Sequence, residues 1–331
     1  MKQFLLSLVS FICLSGLAGA QDANAPNKAY LDPTEAGADF ALQGEYAGTI
    51  KTGDGEFKVG VHVIAEGEGK LAWAAYMGGL PGDGWDGNAP LRGAGDVLGK
   101  NGILKGDNGR GEIKDGNIVI STSDNVRLGE IAKVTRVSPT MGRKPPEGAV
   151  VLFDGTTADH FEGGQLSDDK LLMQGVTSKE KFQSCELHLE FLLSFMPNAR
   201  GQGRSNSGCY LQGRYEVQML DSFGLSGEHN ECGGIYTISK PRVNMCYPPL
   251  SWQTYDIEYH AAKFDTADKK QSDAWMTVKH NDVLIHDKVK LPRGTTAAPV
   301  AEGPEPGPLH LQDHGNPVRY RNIWFSPLDS F

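Results

Sequence analysis

Two carboxylates and an amide able to do acid–base chemistry stand close together in the run Tyr215-Glu-Val-Gln-Met-Leu-Asp221. A strand's two-residue period sends Glu216 and Gln218 to one face and Tyr215, Val217 and Met219 to the other. Asp221 is an odd step from Gln218, so a regular strand turns it away. One inserted residue, a β-bulge, would bring it back and line one face with three polar side chains. Carboxyls gathered in this way can serve as a general acid and base or as a glycosidase pair. The same spacing also suits an ordinary half-buried strand with a solvated face. Further on, His314 stands before a Gly315-Asn-Pro317 turn, where it could cap the turn or act as a base. Arg319 and Arg321 alternate onto one strand face with Ile323.

The elements that must position these residues are short strands. The chain has 331 residues, which suggests two domains, and 42 glycines, which suits many turns. A net charge of -9 and the lack of a basic patch exclude nucleic acid and an anionic membrane surface as natural partners. Residues 1–20 read as an export signal: Lys2, an apolar run from Phe4 to Leu17, then Ala18-Gly-Ala20 as a cleavage signal. The run is too short and weakly flanked for a membrane span, so the mature protein is expected to be exported, to the periplasm or beyond. Cys185, Cys209, Cys232 and Cys246 remain, and an oxidising compartment allows two disulfides, with Cys232–Cys246 favoured because it closes a short loop. Residues 21–42 read as a polar linker with a short helical piece near Thr34–Phe40.

Residues 43–142 read as a small all-β domain, a meander or barrel. Phe57–Ile64 alternates cleanly, Asp115-Gly116 marks a hairpin, and His62 reads as a solvated surface residue. Arg143-Lys-Pro-Pro-Glu-Gly148 is a Pro-rich join. Residues 148–331 then show about ten short strands, among them Cys185–Phe191, Gln253–His260 and the hairpin across Asn281-Asp282. His188 reads as a surface residue, and Trp252 and Trp275 as core. With no strong helix, an antiparallel β-sandwich is the natural architecture.

Six segments of this second domain carry a family pattern in order: Leu152-Phe-Asp-Gly155, Asn206-Ser-Gly208, Tyr215–Asp221, Gly234-Ile-Tyr236, Trp252–Ile257, and Leu311-Gln-Asp-His-Gly315 with Arg319–Ile323. From Gly148 to Leu328 the chain resembles the 3-keto-disaccharide hydrolase domain of exported bacterial proteins, long listed as a domain of unknown function. The resemblance implies a jelly-roll sandwich of the concanavalin-like lectin and glucanase type with a sugar groove on one sheet. Glu216-x-Gln218-x-x-Asp221 is similar to the E-x-D-x-x-E strand of laminarinase-type retaining glucanases, with Gln in the middle and Asp at the end.

The implied activity is net hydrolysis of a 3-keto-glycoside. A C3 ketone acidifies the C2 hydrogen, a base removes it, the C1 leaving group departs, and water adds back. Glu216 or His314 could be the base. Asp221 could be the acid, and Arg319, Arg321 or a divalent metal held by Asp221, Glu216 or His314 could stabilise the enolate oxygen. Gln218, Asn206, Tyr210, Arg319 and Arg321 are the expected substrate contacts. The alternatives are a lectin-like module on the same sandwich and a conventional retaining glycosidase.

Overall fold

The structure, a computed structural model, describes residues 27–328. The export signal expected at 1–20 lies outside the described residues. The described chain is all-β apart from two 3-10 turns, at Pro33–Glu35, capped by Asp32, and at Gly201–Gly203, and α1 (Gly37–Leu42). Residues 27–42, part of the segment read as a polar linker with a short helical piece, are packed in place, and the helical piece is present as the Pro33–Glu35 turn and α1. Tyr30 exchanges backbone hydrogen bonds with Phe195, Ala36 packs with Ala65 and Phe195, and Leu42 enters the core of the first unit. Tyr30, Ala36, Phe40 and Leu42 each find an apolar partner, which is what a free linker lacks.

The first unit is a closed antiparallel barrel in sequential order: β1 (Gly44–Thr52), β2 (Gly55–Gly67), β3 (Lys70–Met77), β4 (Leu91–Leu98), β5 (Asn101–Gly106), β6 (Gly109–Lys114), β7 (Asn117–Thr122) and β8 (Arg127–Val134). β1 pairs with both β2 and β8, so no edge is left open. Tyr46, Val61, Val63, Leu71, Leu104, Ile113 and Ile131 fill its core. β4 and β5 lack apolar alternation because glycines sit where Trp73 lies on the sheet. A Cβ at Gly93 would meet the Trp73 ring at 2.6 Å.

The second unit packs two antiparallel sheets. Its strands are β9 (Val150–Phe153), β10 (Phe161–Glu162), β11 (Leu172–Met173), β12 (Val176–Phe182), β13 (Cys185–Leu193), β14 (Asn206–Leu211), β15 (Tyr215–Leu220), β16 (Trp252–His260), β17 (Lys263–Phe264), β18 (Lys270–Ser272), β19 (Ala274–His280), β20 (Val283–Leu291), β21 (Gly307–Leu311) and β22 (Val318–Pro327). The five-stranded sheet runs β10-β12-β21-β14-β15, and the seven-stranded one runs β11-β22-β13-β16-β19-β20 with β9 also on β22. Between them lie Cys209, Val217, Met219 and Leu311 from one sheet and Leu187, Phe191, Tyr255, Ile257 and Met276 from the other. Burying one face of each strand in this way supplies the main drive for folding.

Four sequence expectations change here. Cys185, Cys209, Cys232 and Cys246 are all free and buried, so the favoured Cys232–Cys246 bridge is not formed; Cys232 Sγ lies 3.4 Å from the Tyr255 hydroxyl, and Cys246 Sγ lies 3.5 Å from Leu220 O. His62 is 2 % exposed: its Nε2 lies 3.2 Å from Glu45, and its ring stacks on Phe223 of the second unit. His188 is fully buried on the outer face of the seven-stranded sheet, where residues 138–143 cover it. Trp252 and Trp275 are half-buried on that same outer face rather than core.

Candidate functional site

The outer face of the five-stranded sheet carries a polar row that crosses four strands in register. Thr177 of β12 stands opposite His310 of β21, His310 opposite Tyr210 of β14, and Tyr210 opposite Glu216 of β15. Alternation places them there, since their chain neighbours Val176, Leu309, Leu311, Cys209, Leu211, Tyr215 and Val217 fill the core. Thr177 Oγ1 and His310 Nδ1 are hydrogen-bonded at 2.9 Å, and the His310 and Tyr210 rings lie 5.5 Å apart. Gln312 Nε2 donates to the Tyr210 hydroxyl at 3.3 Å. β15 is a sheet edge, but residues 233–236 and Thr295 cover it: Gly233 N–H donates to Gln218 O, Gln218 N–H to Gly234 O, and Glu216 N–H to Thr295 Oγ1.

Burial sets the protonation of this row. It pushes the Glu216 carboxyl up to about 7, against a smaller opposing effect of the Tyr210 hydrogen bond. Burial, then the Glu216 carboxylate, raises Tyr210 so that the phenol keeps its proton. Burial lowers His310, so its imidazole is neutral near pH 7. A carboxyl poised near neutrality, a neutral imidazole and a protonated phenol on one face form an acid–base set.

The set rests on a glycine. Gly208 lies beneath Glu216, and a Cβ there would stand 2.3 Å from Glu216 Oε1 and 2.7 Å from the Tyr210 ring. Gly208→Ala must therefore displace both side chains. Steady-state kinetics beside a thermal melt should show kcat reduced by up to about 10²-fold in a protein that still folds.

Gln218 and Asn206 share this face, joined through Gln202 from the loop before β14. Gln218 Nε2 donates to Gln202 Oε1 at 3.1 Å, and Asn206 Nδ2 donates to Gln202 O at 3.0 Å and Oε1 at 3.2 Å. Those two acceptors fix which way the Asn206 amide points. Its Oδ1 is buried and has no hydrogen-bond partner among the described residues.

The other expected site residues do not join the row. β14 and β15 pair without a register shift, so the bulge that would turn Asp221 toward Glu216 is absent. Asp221 is instead buried in an ion pair with Arg204 Nη1 at 3.3 Å. Burial raises its carboxyl, with Arg204 opposing. Asp221→Asn should lower stability by about 1.5–3 kcal/mol through loss of this charged hydrogen bond, read in a denaturant melt, without ending turnover.

His314 is exposed in the turn after β21 and has no hydrogen-bond partner among the described residues; Asp313, not His314, caps that turn by accepting from Gly315 N–H. Arg319 and Arg321 lie on the outer face of the seven-stranded sheet, away from the core residues Val318, Tyr320 and Ile323 of the same strand. A backbone irregularity at Asn322, with φ 46°, returns Ile323 to the core rather than leaving it on the arginines' face. Arg319 donates to Gln174, and Arg321 pairs with Glu190 at 2.6 Å while lying over the Trp252 ring. Among the described residues no three His, Cys, Asp or Glu side chains are grouped to hold a metal, so Glu216, Asp221 and His314 do not form the metal set considered from sequence. No helix among the described residues is long and apolar enough to cross a membrane.

His310 is the site residue that sequence reading missed. Leu309-His310-Leu311 carries the signal: two core leucines either side force the histidine onto the opposite face.

Residues 148–326 match the model of the 3-keto-alpha-glucoside-1,2-lyase-like domain family, and the chain belongs to that family. Among solved structures it is similar to a candidate glycosyl hydrolase from Parabacteroides distasonis ATCC 8503, at 30% identity and a TM-score of 0.50, covering 55% of this chain and 85% of that one. A second structure from the same organism, with the same description, aligns at 16% identity and a TM-score of 0.40, covering 59% of this chain and 99% of that one. No curated protein matches the chain.

Proposed function

We propose that the protein is an exported enzyme that cleaves 3-keto-glycosides by elimination and hydration, with Glu216 as the base. The observation that carries this reading is the row Thr177–His310–Tyr210–Glu216, whose carboxyl is held at about 7 by burial. Membership of a 1,2-lyase-like family and likeness to a candidate glycosyl hydrolase support glycoside chemistry. Glu216 takes the C2 proton, which the C3 ketone has acidified. The Tyr210 phenol, kept protonated, donates to the enolate oxygen. Glu216 then passes the proton taken from C2 to the leaving oxygen as the C1–O bond breaks. Water then adds its oxygen to C1 while a proton returns to C2, so the net reaction is hydrolysis. A retaining glycosidase needs two carboxyls flanking one bond, and the absent bulge leaves Glu216 without Asp221 beside it.

The test is turnover of a 3-keto-glucoside beside the same glucoside unoxidised, with and without chelator. Cleavage of the keto form alone is the expected result, and loss of it on chelation would add a divalent ion to the site. Cleavage of the unoxidised sugar would replace this reading with a conventional glycosidase. Binding of both sugars without cleavage would leave a lectin.

A further inference from the structure

We infer that the barrel is part of the substrate site: it clamps the loop that delivers Gln202 to the Glu216 face, and Gln202 with Asn206 selects the part of the glycoside beyond the reacting ring. This rests on the proposed function and extends it to residues outside the acid–base row.

The clamp is a set of contacts between the end of β2 and the loop 197–205. Arg200 Nη2 donates to Glu66 O at 2.6 Å. Arg204 Nη2 donates to Ala65 O at 2.9 Å, its Nε to Ala199 O at 3.1 Å, and its Nη1 to Asp221. At Gly67, with φ +76°, a Cβ would stand 1.7 Å from Asn198 Oδ1, so only glycine lets the barrel turn approach this closely. Two backbone carbonyls and one glycine of the barrel thus fix a loop of the second unit that has only a single short 3-10 turn of its own.

That loop ends in the site. Gln202 Oε1 accepts from both Gln218 and Asn206, while its Nε2 donates to Asn230 O at 2.7 Å. Gln202 therefore ties the clamped loop to the 227–231 loop across the face. The buried Asn206 Oδ1, lacking a partner, is an acceptor waiting for a donor. A sugar hydroxyl supplies one, and the neighbouring amides offer both donors and acceptors to a second. Among the described residues no charged side chain hydrogen-bonds to Gln202, Asn206 or Gln218, which fits a neutral hydroxyl-bearing leaving group, a second sugar, rather than an acidic one. A buried acceptor left unpaired discriminates strongly against a ligand without the matching hydroxyl.

The test compares the full-length wild type with Gln202→Ala, Arg200→Ala and Gly67→Ala on a 3-keto-disaccharide and on methyl 3-keto-glucoside. Each variant should raise KM for the disaccharide by about tenfold, the worth of one or two neutral hydrogen bonds, with kcat kept and the methyl glycoside unaffected. Gln202→Ala combined with Arg200→Ala should be less than additive, because both act through one loop. Equal KM changes for the two substrates, or a fall in kcat alone, would overturn the inference. Hydrogen exchange needs no ligand and separates the two readings: amides 198–206 should exchange faster in Arg200→Ala and Gly67→Ala. Unchanged exchange in both overturns the clamp even where the wild type is active. If the wild type turns over neither substrate, the proposed reaction falls. Calorimetric binding of the unoxidised disaccharide then judges Gln202, and equal affinity for wild type and Gln202→Ala overturns its role.

Discussion

Glu216→Gln should lower kcat by about 10²–10⁴-fold, the usual worth of a positioned general base, while KM for a 3-keto-glucoside changes little. The amide keeps the shape over Gly208 but cannot take the C2 proton. The pH profile gives the sharper readout. A base with its carboxyl at about 7 is protonated and idle below that value, so wild-type kcat/KM should climb through acidic pH and level off above neutrality. The variant's residual rate should lack that limb. Stability should move the other way. Burial favours the neutral acid, so the folded state holds this proton more tightly than the unfolded chain. Wild type is therefore most stable with respect to this group below its ordinary value of 4.5, and loses stability as pH rises from there through about 7. The gap between those values corresponds to about 3 kcal/mol. Glu216→Gln removes the charge, so it should melt higher than wild type at pH 8 and the same at pH 4. An inactive variant with an unshifted pH 8 melt would mean that the carboxyl is not poised as described.

Strand identity was legible in this sequence and side-chain partnership was not. Glu216, Gln218, Tyr210 and Asn206 reach one face because two-residue alternation is a local property of the backbone. Asp221 was misplaced because its direction depends on whether a bulge forms, and the unbroken pairing with β14 decides that, not the residues around it. His314 drew notice because it lies within a family segment, whereas His310, four residues earlier, gains its place from pairing with Thr177 and Tyr210 on strands far away in sequence. Arg319 and Arg321 were read correctly as sharing a face, but no local pattern tells which of two sheets a strand joins. Histidines were the least legible of all. His62 and His188 both sit in clean alternations, and both are buried because another part of the chain covers what would otherwise be a solvated face. The barrel was visible as regular short strands. β4 and β5 escaped because their glycines accommodate Trp73, a contact that replaces the apolar alternation a strand normally shows.

The covered face around His188 leads to the second large effect, which is on stability. Glu190 is 1 % exposed and accepts from Arg321 Nε at 2.6 Å, Gly142 N–H at 2.6 Å and Asn322 Nδ2 at 2.9 Å. His188 Nε2 lies 3.7 Å away, and its Nδ1 is 2.7 Å from Asp256. Thr140 and Arg143 also bond Asp256, so one charge network pins the segment joining the two units to the outer face of the sheet. Glu190→Gln leaves one oxygen and turns an amide N–H₂ toward a group that can only donate. The cost should be about 1.5–3 kcal/mol, typical of lost charged hydrogen bonds, since the Arg321 left behind is part-exposed. Its pH dependence follows from two opposite shifts. Burial alone would raise Glu190, but its hydrogen bonds from His188, Asn322, Arg321 and Gly142 outweigh it and hold the carboxyl at about 2. That stabilisation is complete above the ordinary 4.5 and is lost as pH falls through about 2. For His188 burial opposes protonation, but Asp256 and Glu190 overcome it and raise the imidazole, so its stabilisation is complete below the ordinary 6.5 and is lost as pH rises through the raised value. The difference between wild type and Glu190→Gln in urea melts should therefore be greatest between pH 4.5 and 6.5 and smaller on either side. Because this network and the Glu216 row lie on different sheets, the folded variant should keep its kcat and its acidic limb. Loss of that limb in Glu190→Gln would tie the outer network to the chemistry and move the base away from Glu216.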